Sequence, residues 1–130
     1  MATHLFTARG AATMLLLGSS GFQAALAAGA PWAHLAYGGG HSGTLPGHLR
    51  ATSAVATVAY AALAATVARR PLPETGQRRL QSGAAALFTV GTALNLASPS
   101  LPEKLTWSPV AAALAISLWR SRAEPVKARS

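Results

Sequence analysis

Charged side chains are missing from most of this chain and crowded into a few places. No Asp, Glu, Lys or Arg occurs in residues 10–49, 51–68, 80–102 or 105–119. A helix lying on a soluble core needs a polar stripe to meet water, and these windows supply no charge for one. The last three are instead near the 20 or so apolar residues that cross a hydrocarbon core about 30 Å thick, and the first holds such a stretch and a loop. Only 11% of the residues are charged, against roughly 25% in an ordinary soluble domain. The pattern predicts a single all-α domain of 130 residues, a four-helix transmembrane bundle with spans near 11–30, 45–68, 80–97 and 101–120. The competing reading is a soluble alanine-rich bundle, because the mean hydropathy is only +0.32 and alanine sits near neutral on insertion scales. Four successive uncharged windows are hard to solvate, and they favour the membrane.

Local signals place the segment ends. The first segment, AATMLLLGSSGFQAALAAGA, runs into Pro31 and Trp32, a helix exit at an interface. A cleaved signal peptide is its rival, with Arg9 as n-region and Ala25, Leu26 and Ala27 at the cleavage site. Gly18, Ser19, Ser20 and Gly21 break the apolar run well before that site, which favours a span. The loop PWAHLAYGGGHSG holds three consecutive glycines and excludes a continuous helix. Thr44 is expected to cap the second helix, with Pro46 in its first turn, and Arg69, Arg70 and Pro71 end it. Ser98, Pro99 and Ser100 stop the third. Ser100 and Glu103 fit a capping box opening the fourth, where Pro109 either kinks the helix or marks its true start behind Ser108. Trp107 and Trp119 bracket the last apolar stretch as belt aromatics do.

The net charge of +8 would suggest nucleic acid in a soluble protein, but its distribution has another explanation. Four spans put Arg9, Arg69, Arg70, Arg78, Arg79, Arg120, Arg122, Lys127 and Arg129 on one side, and Arg50 and Lys104 on the other. Nine against two predicts both termini inside. The expected partner of these residues is the bilayer's anionic inner leaflet, not nucleic acid. A faint internal repeat relates TLPGHL (44–49) to SLPEKL (100–105). It indicates either a duplication or two good helix starts.

Candidate site residues are few. Gln23 and Asn95 are the largest neutral polar side chains inside the spans, and both fall in the outer half. They are read as interhelical hydrogen-bond partners or as the lining of a polar pocket. Arg50, Glu103 and His48 sit at the outer helix starts, where Arg50 and Glu103 are either an ion pair or two interfacial charges. His34, His41 and His48 recur every seven residues. They are weak candidates for a zinc or copper site, because glycines and Pro46 break the helix that would align them and no acid or thiol completes the set. Gly21, Ala25 and Gly29 form a small-xxx-small pattern that allows close helix approach. Cysteine is absent. Ser19 and Ser20 have no nearby base, and the glycine-rich stretch before His41 lacks a phosphate-binding Lys. No enzyme activity, cofactor or metal is expected.

Small multidrug exporters share the length but depend on an acid within the first helix. Here Glu74, Glu103 and Glu124 all lie outside the apolar stretches. Fluoride channels share the size, but the Phe- and Thr-rich pore motif is missing. The stretches GFQAALAAGAPW (21–32), YGGGHSGTLPGHLR (37–50) and NLASPSLPEKLTWSPVA (95–111) resemble a family of short four-helix bacterial inner-membrane proteins of unknown function. That family usually carries Gly after Pro-Trp, where this chain has Ala33. The resemblance implies fold and a multi-pass place in the bacterial plasma membrane, and it transfers no site residues. The leading expectation is a non-enzymatic accessory or scaffold subunit, or a self-associating homo-oligomer. The alternative is a binder or carrier of a small apolar molecule such as a lipid or quinone, through a polar pocket at Gln23 and Asn95.

Overall fold

A computed structural model describes residues 7–124. Lys127 and Arg129, counted above for orientation, lie outside them. The described residues form four long helices and no strand: α1 (Ala8–Ala28), α2 (Gly47–Arg69), α3 (Glu74–Leu96) and α4 (Leu101–Ser121). Two 3₁₀ turns, Ala33–Leu35 and Tyr37–Gly39, sit between α1 and α2. At about 1.5 Å per residue, helices of 21 to 23 residues all have the length of a hydrocarbon core. By length and apolarity together, two of them qualify to cross a membrane, α1 and α2. α3 starts six residues ahead of its expected span and takes in Glu74, Gln77, Arg78 and Arg79, while α4 opens on Glu103 and Lys104.

Capping explains the boundaries. Thr7 Oγ1 accepts from the Gly10 amide at 3.0 Å. α1 stops at Gly29 (φ 105°), where Gly29 N–H returns to Leu26 O and Ala30 N–H to Ala25 O, the paired bonds of a Schellman end that glycine tolerates best. Thr44 does not cap α2 as expected. Its hydroxyl donates to Gly29 O at 2.9 Å, and Pro46, extended at ψ 159°, takes the cap position. Ser100 does cap α4, accepting from Glu103 N at 3.3 Å. The return half of the box runs through Ser98, whose hydroxyl accepts from Ser100 N and donates to Glu103 Oε1 at 2.6 Å. α4 continues through Pro109, so Ser108 is not its start.

The chain runs up and down twice. One end of the bundle carries the α2–α3 turn, the start of α1 and the end of α4; the other carries the long α1–α2 connection and the α3–α4 turn. α1 packs along α2, α3 along α4, and α1 against α4. The apolar core joins Ala12, Leu16, Ala64, Val67, Ala85, Leu114 and Leu118, and a second cluster of Leu26, Ala33, Ala36 and Leu45 lies under the 3₁₀ turns. Ser20 Oγ bonds Thr57 O at 2.8 Å across α1 and α2. The small-residue row on α1 does not make that contact, for a Cβ at Gly21 would meet open space and Gly29 serves as the cap.

Beside that core, several polar side chains are buried while large apolar ones face outward. Ser19, Ser53, Gln77, Gln81, Ser117 and Ser121 are buried, whereas Val55, Val58, Leu87, Leu94, Leu105 and Ile116 are each more than half exposed.

Candidate ligand cleft

α2 and α3 meet near their shared turn, where Gln77 Nε2 donates to Thr66 O at 2.9 Å, and diverge beyond it, with Tyr60 and Phe88 approaching near mid-helix at 6.1 Å between ring centroids. The gap between them is a cleft of about 480 Å³, within the roughly 300–1,000 Å³ of small-molecule sites. Its walls are mostly apolar, with Ala56, Ala59 and Leu63 from α2, Leu87, Val90 and Leu94 from α3, and Val110 and Leu114 from α4. Ala59, Leu87, Val90 and Leu94 are exposed at its rim.

Polar groups gather at one end. Gln23 near the end of α1, Asn95 near the end of α3 and Glu103 in the first turn of α4 all line the cleft. Gln23 and Asn95 share this space but do not bond one another. Gln23 Oε1 is buried with no partner, a state that costs about 1–3 kcal/mol for an amide. Glu103 is 7% exposed and holds Ser98. Arg50 lies elsewhere, its Nε donating to Ala27 O at 3.1 Å. It closes the end of α1 and forms no ion pair with Glu103. His34, His41 and His48 are exposed, and among the described residues no group of three His, Asp or Glu converges as a metal site would.

A roof covers this polar end. Trp107 Nε1 donates to Leu35 O at 2.7 Å, and Phe22 lies 4.6 Å from the Trp107 ring and stacks on Trp32 at 6.0 Å. Gly39 (φ 72°) sits so close to Ser100 that a Cβ would collide with its side chain, while Ser100 Oγ bonds His34 O at 3.2 Å. Tyr37 holds φ 51° and its hydroxyl meets Ser53 Oγ at 3.0 Å. A bulky residue in that region costs about 1 kcal/mol or more and needs surrounding structure to hold it.

The opposite end is closed by a polar cluster that the sequence reading missed. Arg70, 5% exposed and left-handed at φ 51°, caps α2. Its Nη1 donates to Gln81 Oε1 at 3.0 Å and Ser121 O at 2.9 Å, and its Nη2 to Arg122 O at 2.9 Å. Gln77 bonds Thr66 O and Gln81 Oε1, both at 2.9 Å, and Gln81 Nε2 reaches Leu118 O and Ser121 Oγ. The guanidinium thus satisfies terminal carbonyls of α4 at the negative end of its dipole. Burial lowers the Arg70 pKa from its ordinary value, against the nearby Glu124 carboxylate, but arginine stays protonated at neutral pH. Arg9 and Glu124 pair at 3.7 Å beside this cluster. Arg70 was counted as a charge facing the leaflet; it is an internal bracket, and Arg69, Arg78, Arg79 and Arg120 are the exposed ones. A faint signal was available in Gln77 and Gln81, four apart and on one helix face if α3 began early.

Comparison with protein-family models, with curated proteins and with solved structures gives no match.

Proposed function

We propose that the chain is a four-span protein of a bacterial plasma membrane, with both ends inside, that binds a small apolar molecule in the cleft between α2 and α3 and catalyses no reaction. The observation that carries the binding reading is a cleft of small-molecule size with mostly apolar walls and the amide residues Gln23 and Asn95 at one end. Walls of this kind favour an apolar occupant, with the few polar groups fixing its orientation.

The outward apolar side chains support the membrane reading for all four helices. α3 and α4 do not qualify as spans by length and apolarity together, but they turn Leu87, Val90, Leu94, Leu105 and Ile116 outward. In water that surface is an aggregation liability; in lipid it is ordinary. The exposed Arg69, Arg78, Arg79 and Arg120 then face an anionic inner leaflet.

The accessory or self-associating reading keeps one observation of its own. A shallow groove on the outside of α3 and α4 is lined by the small residues Ser82, Ala86, Thr89 and Ala115 together with Ile116, Trp119 and Arg120, and its small-residue part lets another helix approach. Mass spectrometry of the protein released from mild detergent separates the two. A stoichiometric small amphiphile that Ala59→Trp displaces supports the cleft. Dimers that survive release and carry no such molecule favour association instead.

A further inference from the structure

We infer that the groove on the outside of α3 and α4 holds one acyl chain of an anionic phospholipid of the inner leaflet, with its phosphate at Arg79 and Arg120. The inference rests on the membrane reading with both ends inside and does not depend on the α2–α3 cleft. It gives the groove to a lipid rather than to a second helix.

The mouth of the groove is basic. Gln81 Nε2 bonds Leu118 O and Ser121 Oγ, which sets the first turns of α3 level with the last turn of α4. Arg120 lines the groove at that level. Arg79 stands two helical turns before Ala86, on the same face of α3. Both arginines are exposed. Neither forms an ion pair among the described residues, where Arg78 pairs with Glu74 and Arg9 with Glu124. Arg122, 3.5 Å from the centroid of the Trp119 ring, adds a further positive charge. Trp119 lines the same end and is half exposed, as an aromatic at headgroup depth is. Guanidinium forks match phosphate, and basic pockets between spans on the inner side suit anionic head groups. A zwitterionic head would bring an ammonium to the same arginines, and the one acid at the start of α3, Glu74, is engaged with Arg78.

Beyond the mouth the groove carries no charge. Ala86 and Thr89 from α3 and Ala115 and Ile116 from α4 line it. Ser82 to Thr89 covers about 10 Å along the helix axis, enough to seat the upper part of an acyl chain. The small side chains keep the surface concave, and a flexible chain fills such a surface with dispersion contacts. A second copy is the poorer occupant. Copies in one membrane share an orientation, so a two-fold interface on this groove would set Arg120 against Arg120 at equal depth. That like-charge contact would lie at the edge of a low-dielectric phase, with no acid lining the groove to offset it.

Native mass spectrometry of the full-length protein tests this, with release from nanodiscs of equimolar dioleoyl phosphatidylglycerol and dioleoyl phosphatidylcholine. One phosphatidylglycerol per chain should be retained, about tenfold or more above phosphatidylcholine, the ratio expected when two arginines favour the anionic head. Arg79→Gln with Arg120→Gln should bring the two lipids level, and Arg69→Gln, on another helix, should leave the preference intact. Ala86→Trp fills the groove and should remove the retained lipid, whereas Ala59→Trp in the α2–α3 cleft should not. Equal retention of both lipids by the unmodified protein overturns the inference. So does a preference that Arg69→Gln lowers as much as the double change, which would make the attraction a property of the whole basic surface. Loss of the lipid with Ala59→Trp and not with Ala86→Trp moves it to the cleft. Lipid-free dimers that Ala86→Trp dissociates give the groove to a second copy. A chain that stays in solution without detergent or lipid overturns the membrane reading, and the inference with it. The comparison of the two lipids needs no variant, so the test stands even if a substituted chain does not fold.

Discussion

Arg70 and Gln23 are the two residues whose surroundings depart most from their type. Arg70 gives three hydrogen bonds from one guanidinium to groups on α3 and at the end of α4. Removing it takes the side-chain donor from the Arg122 carbonyl and leaves Gln81 Oε1 with Gln77 alone and Ser121 O with the Glu124 amide alone. Arg70→Met should therefore destabilise by about 3 kcal/mol, at the scale of a broken buried network. Arg70→Lys should recover only part of that, because an ammonium cannot reproduce the planar fork. Combined with Gln81→Leu, the loss should fall well short of the sum of the singles. Thermal unfolding in detergent measures all three, and additive effects would mean that the cluster contributes independent contacts. Gln23→Leu should behave oppositely. It removes a buried oxygen that has no partner, so stability should stay level or rise by about 1 kcal/mol, unless a tightly held ligand is lost with it. His34, His41 and His48 are exposed, and their triple change to Gln should leave the melting temperature within the effect of ordinary surface substitutions, about 0.5 kcal/mol.

At the scale of elements, the loop between α1 and α2 is a built structure. Its two 3₁₀ turns are held to α4 by Trp107 Nε1 on Leu35 O and by Ser100 Oγ on His34 O, and to α2 by Tyr37 on Ser53. Trp107→Phe keeps most of the ring contact with Phe22 and deletes the N–H, so it should cost about 1 kcal/mol. Hydrogen exchange should quicken at the amides of Leu35, Ala36 and Gly39; uniform quickening across all four helices would contradict this role. The glycines of α1 offer a second contrast. Gly29→Ala meets φ 105° and should cost about 1 kcal/mol. Gly21→Ala adds a methyl into open space on a helix and should be neutral or slightly stabilising. A large loss at Gly21 would show that the outer face of α1 is covered by another chain.

For the whole molecule, orientation is the property with the widest consequences. Reporter fusions after Ala30 and after Ala97 should report outside, and one after Arg79 inside, because the exposed basic residues collect at the end that carries the α2–α3 turn. An outside C-terminus would exclude the four-span arrangement. If the first helix is a cleaved signal, the mature chain would lose Ala12 and Leu16 from the core and one wall of the cleft, so intact mass distinguishes these outcomes directly.

Much of the helical layout was readable from charge spacing and punctuation. The four uncharged windows, the glycines before His41 and the Ser98–Pro99 break mark helices and turns by local physics, since backbone geometry and solvation act within a few residues. The placement of Gln23 and Asn95 at similar depth also followed from counting along two helices that run the same way, and the cleft does contain both. Distance along the chain could not show that their amides stay unbonded, that Arg50 folds back on Ala27, or that Glu103 turns to Ser98. Those outcomes depend on helix rotation and on which helices pack. α2 and α3 are joined by a turn as short as the one between α3 and α4 and yet diverge, while α3 packs along α4 and α1 packs along α2 and against α4. The sequence by itself determined the four helical segments, where they end and where charge is lacking, but not the early start of α3 at Glu74. Tertiary structure alone decided that an arginine next to a proline is an internal bracket and that a gap opens between consecutive helices. Burial and hydrogen-bond satisfaction belong to neighbours brought together from distant positions, and no local signal encodes them.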